Sequence, residues 1–199
     1  MNTPIQAVLQ KKGYRIFLRP FELNIVGVRS DSVKPNSFDD TIYVFFNNSE
    51  GKLIEHKFSA TTDPGTYWLK NPMNPQGTAI LKEGQYINTY GLGLHRGKYM
   101  ALVQKRPVTV LRDYDRNAVL DFLNGTPDTG LFGINIHRAS ETGTTKVVEH
   151  YSAGCQVFAN ATDYLLFMTL CERHKQLYGN QFTYTLIDER ALSRESKKK

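Results

Sequence analysis

The sequence predicts a mainly β, α+β fold: a β-sheet or sandwich with a short N-terminal helix and one long helix late in the chain. Three observations lead there. Aromatic residues make up 12% of the chain, with eleven Tyr and eleven Phe, and such residues pack well on pleated sheets. Short runs rich in β-branched or aromatic residues recur, each closed by Gly, Pro, Asn or Asp. One long stretch alone combines helical apolar spacing with marks at both ends.

The elements follow in order. Thr3-Pro4 and Gly13 bracket the first helix, with Thr as N-cap and Pro at the first helical position. Strand-like runs occupy 14–18, 23–29, 41–47, 53–61, 99–105 and 108–112. Between Asp63 and Gly97, prolines and glycines punctuate turns and short strands expected to surround a surface cleft. Asn160 caps the long helix, Asp163 follows three residues later, and Gly179 offers its stop. A last strand, 181–188, alternates Phe182, Tyr184 and Leu186 on one face. Residues 1–189 thus form a single domain, and the basic tail 190–199 is expected to be disordered.

Composition narrows the function. At 199 residues, 40% hydrophobic and 22% charged, the chain is large enough for a core without staples. No apolar run approaches the ~20 residues of a membrane span. The net charge of +6 suits an anionic partner, but the closing Lys triplet supplies half of it and the other cations are scattered, which argues against nucleic acid. Two cysteines make no disulfide framework, and Cys171 falls on an apolar stripe with Tyr164, Phe167 and Met168, so it belongs to the core. No zinc spacing, phosphate loop or dinucleotide fingerprint occurs, so neither metal nor cofactor is expected. Asp39-Asp40 and Asp113/Asp115 lie in turns without signs of apolar enclosure, which leaves an acid pair unsupported.

What remains is a nucleophile. Leu131-Phe132-Gly133-Ile134-Asn135-Ile136-His137 is an apolar, strand-like run closed by His137. Eighteen positions later comes Cys155, after the small-residue turn Ser152-Ala153-Gly154. A thiol with an ordinary pKa near 8.5 is only a few per cent thiolate at neutral pH, so an imidazole within reach would lower that pKa and serve as base. Gly154, lacking a Cβ, leaves the N–H groups of Gly154 and Cys155 open to a developing oxyanion. His150, beside Glu149, is the rival base but sits in a polar run and reads as solvent-exposed. His56 and His174 read as sheet-face and helix-face residues.

His137 followed by Ser152-Ala153-Gly154-Cys155 resembles the signature of the L,D-transpeptidase (YkuD-like) family, in which a strand-closing His precedes Ser/Thr-His-Gly-Cys at this spacing. The likeness covers about 131–160. Ala153 stands where the family has His, and Gln156-Val157 where it has an apolar residue and Arg or Asn. The resemblance implies a mostly β catalytic domain and a carbonyl, here that of Arg138, holding the second ring nitrogen of His137. Catalytic roles thus fall on Cys155, His137, Gly154 and Arg138. His95, Arg96 and Tyr99, in the glycine-flanked segment 91–99, are candidates for substrate contacts by carboxylate or amide recognition, with Ser152 beside the nucleophile; a plain basic hairpin turn is the alternative for 91–99.

The activity so implied is cysteine-dependent acyl transfer on peptidoglycan stem peptides through a Cys155 thioester, with hydrolysis or transpeptidation left open. The alternative, motivated by Ala153 and Gln156-Val157, is a non-catalytic wall-binding or virion structural module. The first twelve residues show no signal-peptide apolar core. A protein so made is expected to reach the wall by lysis, in a virion or through an effector secretion system. Oligomeric state is not legible.

Overall fold

Helix α1 (Pro4–Lys11) begins where expected: Thr3 and the Gln6 side chain cap one another's backbone N–H groups, and Pro4 opens the first turn. The computed structural model describes residues 3–196. After α1 come strands β1 (Asn24–Arg29), β2 (Asp40–Asn47) and β3 (Leu53–Thr61), then helix α2 (Thr66–Lys70). Strands β4 (Thr78–Leu81), β5 (Gly84–His95), β6 (Tyr99–Gln104), β7 (Val108–Asp113), β8 (Thr126–Gly130) and β9 (Ile136–Arg138) follow. A 3-10 turn (Glu149–Tyr151), strand β10 (Gln156–Phe158), helix α3 (Ala161–Tyr178), strand β11 (Phe182–Asp188) and helix α4 (Glu189–Ser196) complete the order.

The fold is mainly β, with a short N-terminal helix and one long helix. Its principal sheet closes on itself as a barrel in the order β1-β11-β5-β6-β9-β10-β3-β2, and β4-β7-β8 form a separate sheet. Closure leaves the principal sheet without an open edge. Two neighbouring pairs run parallel, β1 with β11 and β9 with β10. Residue alternation sorts the core into layers: Ile25, Ile42, Val44, Phe46, Tyr184 and Leu186 pack in the main cluster, while Val26, Val28, Phe45 and Ile187 meet Ile5, Val8 and Leu9 of α1. Asn160 caps α3 by accepting from the Thr162 and Asp163 N–H groups, and Tyr164, Phe167 and Cys171 turn into the main core.

Three expectations need correction. Residues 14–18 are not a strand, because side-chain amides take up their backbone groups: Gln85 pairs with Arg15 and Asn24 with Phe17. The run 131–137 pairs only from Ile136 onward; Gly133 takes a φ of 72°, and Gln104 Oε1 accepts the N–H groups of Phe132 and Ile134. The tail expected to be disordered is α4 through Ser196, with Ala191 and Leu192 packed on the α1 cluster and Lys11 paired with Glu195 at 3.0 Å. Lys197–Lys199 lie outside the described residues.

Candidate functional site

The parallel pairing of β9 with β10 sets Gln156 opposite Ile136 and Val157 opposite His137. Cys155, one residue before β10, therefore comes to lie beside Asn135, whose carbonyl accepts the Gln156 N–H. His137 is 3% exposed. Its Nδ1 lies 2.7 Å from the Arg138 carbonyl oxygen, which makes Nδ1 the protonated nitrogen, and Tyr99 Oη sits 3.1 Å from Nδ1 and 3.2 Å from the same carbonyl. That tautomer leaves Nε2 as an acceptor, and this buried atom has no partner among the described residues. Burial, and next the adjacent His95, pull the imidazole pKa down to about 3.

Cys155 is only partly exposed. Its thiol contacts the Gly133 carbonyl at 3.4 Å and accepts from the Asn135 N–H at 3.4 Å. Burial pushes the thiol up to about 11, while the Asn135 N–H and Arg96 act weakly the other way. Both shifts favour the uncharged thiol and the uncharged imidazole at rest, whereas the sequence led to the expectation of a thiol whose pKa His137 lowers.

The turn before Cys155 is held from within. Gly154 takes a φ of 118°, and a Cβ there would collide with the Ala79 carbonyl oxygen, so only glycine fits. Ser152 is fully buried; its hydroxyl donates to the Cys155 carbonyl at 2.8 Å and accepts the Gly154 N–H at 3.2 Å. Ser152 thus shapes the turn and, expected as a substrate contact, does not line the Cys155 cavity. The Gly154 N–H is likewise occupied, whereas the Cys155 N–H has no partner among the described residues and is the available oxyanion donor. Gln156, also fully buried, donates to the Gly154 and Thr62 carbonyls and accepts from Tyr184 Oη at 2.7 Å. Its departure from the family pattern is a buried polar anchor under the turn.

Cys155, His137, His95 and Arg96 line one cavity of about 270 Å³, whose wall also includes Trp68, Met73, Phe132, Ile134 and Ala153. The same five wall residues border a second hollow of about 160 Å³ that runs on to Thr78, Ala79 and Arg112. His95 stacks on His137 with centroids 4.0 Å apart, and its Nδ1 lies 3.1 Å from Asn135 Nδ2. Burial, with Arg96 adding to it, lowers its pKa, so a second neutral ring backs the first. Arg96 opens the tight β5–β6 turn at a φ of 52° and faces the cavity. Tyr99 does not line it: its hydroxyl serves His137 and Arg138, and the Arg138 guanidinium lies over its ring at 4.5 Å. Tyr99 thus holds the His137 ring and the Arg138 carbonyl in place. His150 is exposed, meets the Tyr67 ring at a tilt with centroids 3.9 Å apart and stands at the cavity wall.

Sequence reasoning missed Asn135, Trp68 and Met73. Asn135 had a signal, as the one polar side chain within an apolar run; the others come from α2 and the loop after it, far away in sequence. The carboxylates expected to stand open in turns also differ. Asp40 is buried and accepts from Ser30 and Thr62, and Asp113 is fully buried. No protein-family model, curated protein or solved structure matches this chain.

Proposed function

We propose that this chain is a cysteine acyltransferase or peptidase acting on peptidoglycan stem peptides. The observation that carries the reading is the His137 ring: one nitrogen is fixed by the Arg138 carbonyl, and the other is buried, unpartnered and beside the cavity that Cys155 lines. A buried imidazole nitrogen without a partner carries a desolvation cost of roughly 1–3 kcal/mol, which an arriving proton or ligand donor would relieve. The motif resemblance supplies the substrate class.

In this reading the neutral pair reacts by general-base catalysis. The Cys155 S–H leaves the Gly133 carbonyl and gives its proton to His137 Nε2 as sulfur attacks the stem-peptide carbonyl. A C–S bond forms, and the oxyanion takes the Cys155 N–H. The imidazolium then returns the proton to the leaving amine as the C–N bond breaks, leaving a thioester. Water or a second amine resolves it, giving hydrolysis or transpeptidation. The Arg138 carbonyl and Tyr99 hydroxyl stabilise the transient imidazolium.

Incubation with muropeptides, read by mass spectrometry, tests this. Loss of a terminal D-residue, cleavage of a cross-link or exchange of a D-amino acid is the expected result. The raised thiol pKa favours a second reading, a wall-binding module without turnover. Sedimentation of the protein with intact walls and no mass change in any muropeptide would establish that reading and overturn the first.

A further inference from the structure

The loop from the end of β7 to the start of β8 carries carboxylates that the proposed chemistry does not use. Asp113, Asp115 and Asp121 bring one ligand oxygen each within 4.8 Å of one another. Asp113 is fully buried; its Oδ2 accepts the Asp121 N–H at 3.2 Å, but its Oδ1 has no hydrogen-bond partner among the described residues. An unpartnered carboxylate oxygen inside a protein is costly unless something positive meets it. Nothing cationic among the described residues does: apart from desolvation and the Asp121 N–H, the groups acting on Asp113 are Asp121 and Asp115, both of the same sign.

We propose that Asp113, Asp115 and Asp121 bind a calcium ion, with Asn117 and the Val119 carbonyl completing the oxygen set. The sequence Asp113-Tyr-Asp115-Arg-Asn117-Ala-Val119-Leu-Asp121 places oxygen donors at the first, third, fifth, seventh and ninth positions, the spacing by which a single loop encircles calcium. Such loops need a left-handed residue at the sixth position, and Ala118 has a φ of 60° there. A carboxylate-rich, all-oxygen set from one loop suits calcium rather than magnesium, which demands a tighter octahedron and retains its waters. Asn124 stands at the twelfth position, where a bidentate Glu strengthens the tightest loops. Affinity in the range of about 0.1–1 mM, that of extracellular calcium modules, is expected.

The ion would act on the cleft through the small sheet. Asp113 ends β7 and pairs with Thr78 of β4, and Gly77 packs so closely on the Asp113 carbonyl that it tolerates no side chain. Gly77, Thr78 and Arg112 border the hollow next to the Cys155 cavity. Leu120, from the same loop, packs with Leu69 of α2 and Ile80 of β4.

The test uses the full chain after exhaustive chelation. Calcium chloride at roughly 10 mM should raise the melting temperature by about 5–10 °C, and calorimetric titration should show one site. Tyr114, beside Asp113 in sequence, should sensitise terbium luminescence that calcium quenches by competition. Asp115→Asn and Asp121→Asn remove ligand charge from residues that are not fully buried, so both variants should fold, lose the melting shift and lose the terbium signal. Absence of heat and of a shift in the parent protein, or retention of the full shift by both variants, would overturn the site. An equal shift from magnesium at the same concentration would overturn the assignment to calcium.

Discussion

Two buried histidines sit in different parts of this molecule. His174, on α3, is 5% exposed; its Nδ1 accepts the Leu23 N–H at 3.1 Å and its Nε2 lies 3.1 Å from the Gln181 carbonyl. His137, on β9, is 3% exposed and has only Nδ1 engaged. Burial lowers the pKa of both, so neither burial nor the direction of the shift tells them apart. The difference is the unspent nitrogen. His174 splices α3 to the chain before β1 and to the start of β11, with no capacity left for a proton in flight. His137 keeps one acceptor unspent and lines the cavity that Cys155 also lines. The cysteines divide likewise, for Cys171 is fully buried in the core and Cys155 borders a cavity.

The largest effect that could sharpen this contrast is on the cysteines. Cys155→Ala should abolish product formation from muropeptides with the fold intact, whereas Cys171→Ala should keep turnover and cost about 1–2 kcal/mol in urea unfolding. Next come the histidines. His137→Gln should lower the rate by about 10²–10⁴-fold with little change in melting temperature. His174→Ala should leave the rate per folded molecule unchanged and cost about 1–3 kcal/mol, because the Leu23 N–H and Gln181 carbonyl lose their partner. Equal rate losses from the two histidine variants would dissolve the distinction.

A smaller effect concerns pH. A folded pKa raised to about 11 means the Cys155 thiolate fraction is still climbing above the ordinary thiol range. Alkylation by iodoacetamide should therefore rise about a hundredfold from roughly pH 8 to pH 10, without a plateau. A plateau below pH 8 would instead reveal a resting thiolate–imidazolium pair. The smallest effect belongs to Tyr99→Phe, which removes one hydroxyl from His137 Nδ1 and the Arg138 carbonyl. A loss of about two- to tenfold in rate with unchanged substrate affinity is expected, since Tyr99 does not line the cavity.

Most strands and both main helices were legible because local rules set them: Thr3 and Asn160 cap, Gly179 stops, and alternation marks 41–47 and 181–188. Closure of the sheet into a barrel was not, since it rests on parallel pairings between segments far apart in sequence. At the site, His137, Cys155, the glycine and the Arg138 carbonyl were readable from one short motif. The roles of Ser152 and Tyr99 were not, because burial of a hydroxyl against a backbone carbonyl leaves no trace in residue type. The desolvation of the thiol was not legible for a related reason: spacing places an imidazole and a thiol in one motif but says nothing of how far both are stripped of water. The buried carboxylate of Asp113 was hidden in the same way, inside a segment that reads as an ordinary polar turn.

The central claim is that His137 and Cys155 act as one unit on an acyl group. Acid-quenching the protein during turnover of a stem-peptide substrate, followed by intact-mass and peptide mapping, tests it most directly. A hydroxylamine-labile acyl adduct on Cys155, absent from His137→Gln quenched at the same time, is the predicted result. Turnover with no adduct on Cys155, or an adduct that accumulates equally fast without His137, would contradict it.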